Sequence, residues 1–184
     1  MILPVTVYGD PVLRKVAEPI GPDYPDLPAL LENLWETMYF ADGVGLAAPQ
    51  VGLSIRIFVI DASAGADEDP SLKGLKKTFI NPEMLNLDGD DWTMEEGCLS
   101  LPDIHENVTR PEKVRIRYFD ENFTEYEEEY SGFMARVIQH EYDHLEGKLF
   151  VDYLAPLKRK LLRGRLNDIT KGKVKTHYRI RIPG

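Results

Sequence analysis

Only one cysteine, Cys98, stands among the 184 residues, so no intramolecular disulfide can form and a stapled secreted scaffold is excluded. Long apolar runs are missing too. None approaches the roughly 18 residues that a membrane-spanning helix needs. The first residues, MILPVTVYGD, lack both the basic stretch and the apolar core of a secretory leader. Together these absences point to the cytoplasm. Internal repeats and low-complexity linkers are also absent, which leaves a single domain over 1–184.

What is present suits a globular domain with a sizeable core: 43% of residues are hydrophobic and 29% charged. The net charge of -9 is unevenly spread. Residues 155–184 carry +9 and the rest carry -18. A basic C-terminal helix and tail from about 155 either neutralise the protein's own acidic surface or meet a polyanionic partner.

Leu27, Leu30, Leu31, Leu34, Trp35 and Met38 recur at helical spacing, with a start at Asp26 and Pro28 and a stop at Asp42-Gly43. SIRIFVID reads as a buried strand, and the acidic, turn-rich ASAGADEDPSLKG after it as a surface loop. Strand character continues over 78–87, and KVRIRYF and TEYEEEY flank Asp120-Glu121-Asn122 as a hairpin. From 133 to 145, Phe133, Met134, Val137, Ile138 and Leu145 fit a well-buried helix capped by Gly147. A further helix is expected over 156–169, and THYRIRIP is expected to hold a short strand. Strands with separated helices and no regular alternation make an α+β fold.

Inside the buried helix lies QHEYDHLEG, whose His140-Glu141-Tyr142-Asp143-His144 is an H-E-x-x-H motif. Residues i and i+4 project from one helical face, so both imidazoles can reach a single ion. Glu141, beside the first histidine, can act on an attacking water without being a ligand. The plain alternative is a charged helix that happens to hold two histidines, but a buried Glu between buried His then lacks a satisfying partner.

A catalytic tetrahedral site takes a third protein ligand. Glu146 lies only two residues past His144 and faces elsewhere on the helix, and His177 belongs to the basic tail. His105 is a closer rival, read as a loop residue. Cys98, in EEGCLSLP, is preferred, because a soft thiolate binds transition metals and is deprotonated on doing so. Gly97 before it would let the backbone approach the ion.

GVGLAAPQVG at 43–52 matches G-x-G-x-x-A, with Asp61 near the acidic position of a dinucleotide site. A helical pattern precedes it where a strand is required, and Pro49 falls where the next helix should continue, so that reading fails. An extended glycine-bearing segment suits pairing with a peptide, with Gln50 as a neutral amide donor.

Taken together and in this order, GVGLAAPQVG, EEGCLSLP and QHEYDHLEGKLF resemble the three signature motifs of the peptide deformylase family, and GDPVLRKVAEPI resembles its amino terminus. The similarity covers roughly residues 1–155. It implies mixed β-sheets around a central helix that bears the motif, and hydrolysis of the formyl group from the initiating formylmethionine of nascent chains. By resemblance, Cys98, His140 and His144 are the metal ligands and Glu141 is the general acid/base. Gln50 and the Leu99 N–H would hold the oxyanion, Gly45 would lie on the strand that pairs with substrate, and Glu96 and Arg110 would form a structural ion pair. Val44, Met94, Phe133, Val137 and the stem of Arg136 would form the methionine pocket. Arg136 stands where many members have an apolar residue, and His105 where many have arginine. The resemblance implies one divalent ion, Fe2+ first, with Zn2+, Ni2+ or Co2+ able to replace it. It also implies a ribosome contact through the basic C-terminal region, since some members dock there.

Overall fold

The apolar runs and turn residues sort into one antiparallel meander, a small parallel pair and three helices. The computed structural model describes residues 1–184. Strand β1 (Val5–Thr6) is followed by helix α1 (Leu27–Phe40), β2 (Gly45–Ala47), β3 (Ile57–Asp61), β4 (Lys76–Cys98), β5 (Leu101–Phe119) and β6 (Glu125–Ser131). Helices α2 (Gly132–Leu145) and α3 (Pro156–Thr170) come next, and β7 (Ile180–Arg181) last. The five strands β2 to β6 pair in chain order, all antiparallel, while β1 and β7 pair in parallel. The fold is α+β.

β4 and β5 form one long hairpin closed by the two-residue turn Leu99–Ser100, with Cys98 opposite Leu101. The sequence Asp88-Gly89-Asp90-Asp91 looks like a place for the strand to end. Instead the register shifts between Asp88 and Asp91, Gly89 takes φ +81°, and the strand continues as a bulge. The 78–87 strand is thereby extended to Cys98. At the next turn, Asp120 Oδ1 accepts from the Asn122 and Thr124 amides at 2.9 and 3.0 Å.

Helix α2 lies against this meander. Met134, Ala135, Ile138 and Leu145 pack with Phe58, Phe79, Val114 and Ile116 in the largest apolar cluster. Gly147 ends the helix in the left-handed region at φ +72°, where a Cβ would meet the Arg14 carbonyl oxygen at 2.6 Å. Because Ile138 is fully buried at the centre of this packing, Ile138→Ala is expected to lower unfolding free energy by about 2–5 kcal/mol in chemical denaturation. A loss below about 1 kcal/mol would show that the helix is not locked in place.

No helix is long and apolar enough to cross a membrane.

Candidate active site

His140 and His144 leave α2 on one face, their ring centroids 5.2 Å apart. Cys98, at the end of β4, meets them there. Its Sγ is 3.4 Å from His144 Nε2, and ligand atoms of all three residues lie within 4.8 Å of one another. Neither His105 nor His177 joins this cluster.

The set is chemically fit for a transition metal. Glu96 is buried and its Oε1 is 2.9 Å from His140 Nδ1. An ionised carboxylate only accepts, so Nδ1 carries a hydrogen and Nε2 is the nitrogen left to face an ion. Burial drives the His144 pKa well below the ordinary imidazole range, which keeps it in the neutral, ligating form. His144 Nδ1 and Glu141 Oε2 are buried with no protein partner. Such atoms are costly unless something else occupies the site.

Glu141 is buried beside the cluster, and burial pushes its carboxyl up to about 7. Gly45 of β2 makes room for it. A Cβ at Gly45 would come within 2.8 Å of Glu141 Oε1, so no larger residue fits without moving the carboxylate. Gln50 is also buried: its Oε1 accepts from the Ala47 amide at 2.9 Å, and its Nε2 faces Ser100 Oγ at 3.2 Å and Cys98 Sγ at 3.5 Å. The Leu99 N–H takes no part in the backbone hydrogen-bond ladder.

Glu96 holds far more than one ion pair. Arg110 donates to both its oxygens, at 2.7 and 3.0 Å, and Arg136 Nη1 donates to Oε2 at 2.8 Å. Burial opposes the charge on Glu96, but the bonds from His140 and Arg110 outweigh it and hold the carboxyl below the usual range. Arg110 reaches on to Asp143 Oδ2 at 2.9 Å, which also accepts from Tyr153 Oη at 2.8 Å. Sequence reasoning missed that Arg136 shares Glu96. Its guanidinium turns inward to Glu96, the Val108 carbonyl and the Trp92 carbonyl, and stacks 4.6 Å over the Trp92 ring. The available signal was its place one turn before His140, among the apolar Phe133, Met134, Val137 and Ile138.

A cleft of about 530 Å³ opens onto the cluster, with Val44, Gly45, Met94, Phe133, Arg136 and Val137 all in its wall. One expectation needs correction, that for His105, and two further features of the cleft come from partners elsewhere in the chain. The bare face of Gly97 lies under the His105 ring, where a Cβ would stand 2.6 Å from Cδ2. His105 is not in a loop but on β5, exposed and paired across from Gly97. The basic tail reaches the site as well: Lys175, Thr176, His177 and Tyr178 line the same cleft. The tail is carried there by β7 pairing with β1, and His177 Nε2 donates to the Phe40 carbonyl at 2.9 Å.

The family profile described as polypeptide deformylase matches residues 2–160. The chain is 51% identical over 189 residues to the peptide deformylase of Flavobacterium psychrophilum, covering 99% of this chain and 97% of that one. With the Christiangramia forsetii peptide deformylase it shares 50% identity over 100% of this chain and 97% of that one. Among solved structures, the Thermus thermophilus peptide deformylase matches with a TM-score of 0.82 at 40% identity, covering 94% of this chain and 99% of that one. The Legionella pneumophila peptide deformylase gives 0.81 at 39% identity, covering 94% and 98%. A profile match over most of the chain, half-identical relatives of the same length and a shared fold leave one assignment: the chain belongs to the polypeptide deformylase family.

Proposed function

We propose that deformylation is carried out by Glu141, Gln50 and the Leu99 N–H beside a metal held by Cys98, His140 and His144. As a peptide deformylase, the protein hydrolyses the N-formyl group of nascent polypeptides. One observation carries the residue assignment: a buried, unpartnered Glu141 carboxylate oxygen next to a cysteine–imidazole cluster that opens into a cleft. When bound, a divalent ion would polarise the formyl carbonyl and make water nucleophilic near neutral pH. The family resemblance alone puts Fe2+ first, and the same donors suit Zn2+, Ni2+ or Co2+.

The outer edge of β2 is unpaired in the sheet. An extended peptide adds there as a strand through Gly45, and its methionine side chain enters the wall formed by Val44, Met94, Phe133, Val137 and the stem of Arg136. Glu141 takes the proton of the attacking water as its oxygen bonds to the formyl carbon. The developing oxyanion accepts from the Leu99 N–H and from Gln50 Nε2, whose longer contact, to Cys98 Sγ, is the one released. Glu141 then returns the proton to the amine as the C–N bond breaks, leaving formate and a free N-terminus. Anaerobic incubation with a formyl-Met peptide should release formate and lose that activity on chelation. No formate above the chelated control would reject the reading.

Residues 1–184 act as one cytoplasmic unit whose basic C-terminal region docks on the ribosome. Arg159, Lys160 and Arg163 on α3 line a groove of about 540 Å³ together with Arg14. Two other cations of the helix are committed internally, Lys158 to Glu106 at 3.3 Å and Arg165 to the Asp103 carbonyl. Replacing Arg159, Lys160 and Arg163 with glutamine is expected to reduce ribosome co-sedimentation at low salt, since phosphate contacts weaken steeply as salt rises. Turnover of a short formyl-Met peptide should stay unchanged. Equal co-sedimentation of both proteins across a salt series would remove the docking reading.

A further inference from the structure

We propose that Tyr178, in the tail beyond the profile-matched residues 2–160, is a positioning residue for deformylation. It grips the Leu99 carbonyl and so fixes the turn that carries Cys98 and the Leu99 N–H. This rests on the roles proposed above for that turn.

Tyr178 Oη donates to the Leu99 carbonyl at 2.8 Å. Leu99 packs on an apolar cluster and Ser100 is buried, but the turn has few other hydrogen bonds. The Tyr8 amide donates to the Ser100 carbonyl at 2.9 Å, and Gln50 Nε2 reaches Ser100 Oγ at 3.2 Å from the cleft side. With only two residues between Cys98 and Leu101, rotating the Leu99–Ser100 peptide also swings the Cys98–Leu99 peptide, whose N–H is the proposed oxyanion donor. A displacement of that donor by a fraction of an ångström acts on the transition state more than on the bound substrate.

The tail is built to hold Tyr178 in place. His177 beside it is tied to the Phe40 carbonyl at 2.9 Å, and Thr176 Oγ1 donates to the Tyr178 carbonyl at 2.6 Å. Immediately after it, the Val5 amide donates to the Arg179 carbonyl at 2.8 Å and the Val7 amide to the Arg181 carbonyl at 3.1 Å. Arg181 then lies across Gly52, where any Cβ would collide with its guanidinium, just past the Ala48–Val51 turn that carries Gln50. One strap thus backs both segments that bear the oxyanion donors.

Tyr178→Phe keeps the ring and removes only the hydroxyl. Its kcat on a formyl-Met peptide is expected to fall about 3- to 10-fold, the worth of one hydrogen bond. KM and metal content should stay at wild-type values, because an interaction that matters in the transition state moves kcat, while loss of the resting hydrogen bond lowers the thermal midpoint by only about 2–4 °C. Unchanged kcat with a lowered thermal midpoint would make the contact purely structural and overturn the proposal. Glu141→Gln is the companion variant. If it loses turnover while Tyr178→Phe keeps wild-type kcat, the positioning role alone is overturned. Wild-type turnover in both would overturn the site reading with it.

Discussion

Glu141→Gln is expected to lower kcat by about 10²–10⁴-fold, the usual contribution of a positioned general acid/base, while metal content is unchanged. The amide matches the carboxylate in size, so the close fit against Gly45 is kept. It cannot accept the water's proton or return it to the amine. Stability should not fall, because the carboxylate it replaces is buried with one oxygen unpartnered. Kinetics with formate detection, elemental analysis and a thermal melt on the same preparation separate these effects. Near-wild-type turnover with metal bound would remove Glu141 from the chemistry.

The second large effect is expected of Cys98→Ala. Groups that merely orient a ligand typically contribute about 10–100-fold to metal affinity, so loss of the thiolate itself should weaken binding by more than about 10²-fold. Extensive dialysis against a chelator should then strip the variant under conditions in which the native protein keeps its ion. Activity should disappear with the metal and return only partly at high added Fe2+ or Zn2+. His105 is exposed on β5 and outside the ligand cluster, so it is not placed to take over without moving. Full metal retention by Cys98→Ala would put the site elsewhere.

These two residues were legible because their signals are local. The i, i+4 spacing of His140 and His144 follows from helical geometry alone, and a lone cysteine in a glycine-containing motif stands out against an otherwise thiol-free chain. Helices α1, α2 and α3 carried their boundaries in Pro28, Gly147 and Pro156. The rest depended on partners distant in sequence. Asp88-Gly89-Asp90-Asp91 has turn composition, yet pairing with β5 across the bulge carries the strand on to Cys98. Arg136 could have faced solvent or substrate. Its inward turn is set by Glu96, forty residues earlier on another strand. The course of the tail was least accessible, since ten basic residues after position 154 reveal charge but not direction. Only the pairing of β7 with β1 brings Tyr178 to Leu99.

That pairing also bears on how the molecule opens. The meander zips each strand to its chain neighbour, whereas Val5 and Ile180 come from opposite ends of the sequence, and loop-closure entropy rises with separation. The parallel pair is two residues long on each side and lies outside the five-stranded sheet. It is therefore the element to dock last during folding and detach first under native conditions, by a sub-global excursion that leaves α2 and its apolar cluster intact. Amide protons of Val5 and Val7 should exchange with solvent at a lower opening free energy than those of β3 or α2. Because the same strap backs the Leu99 turn, catalytic competence on warming would decline with this local opening, ahead of cooperative unfolding.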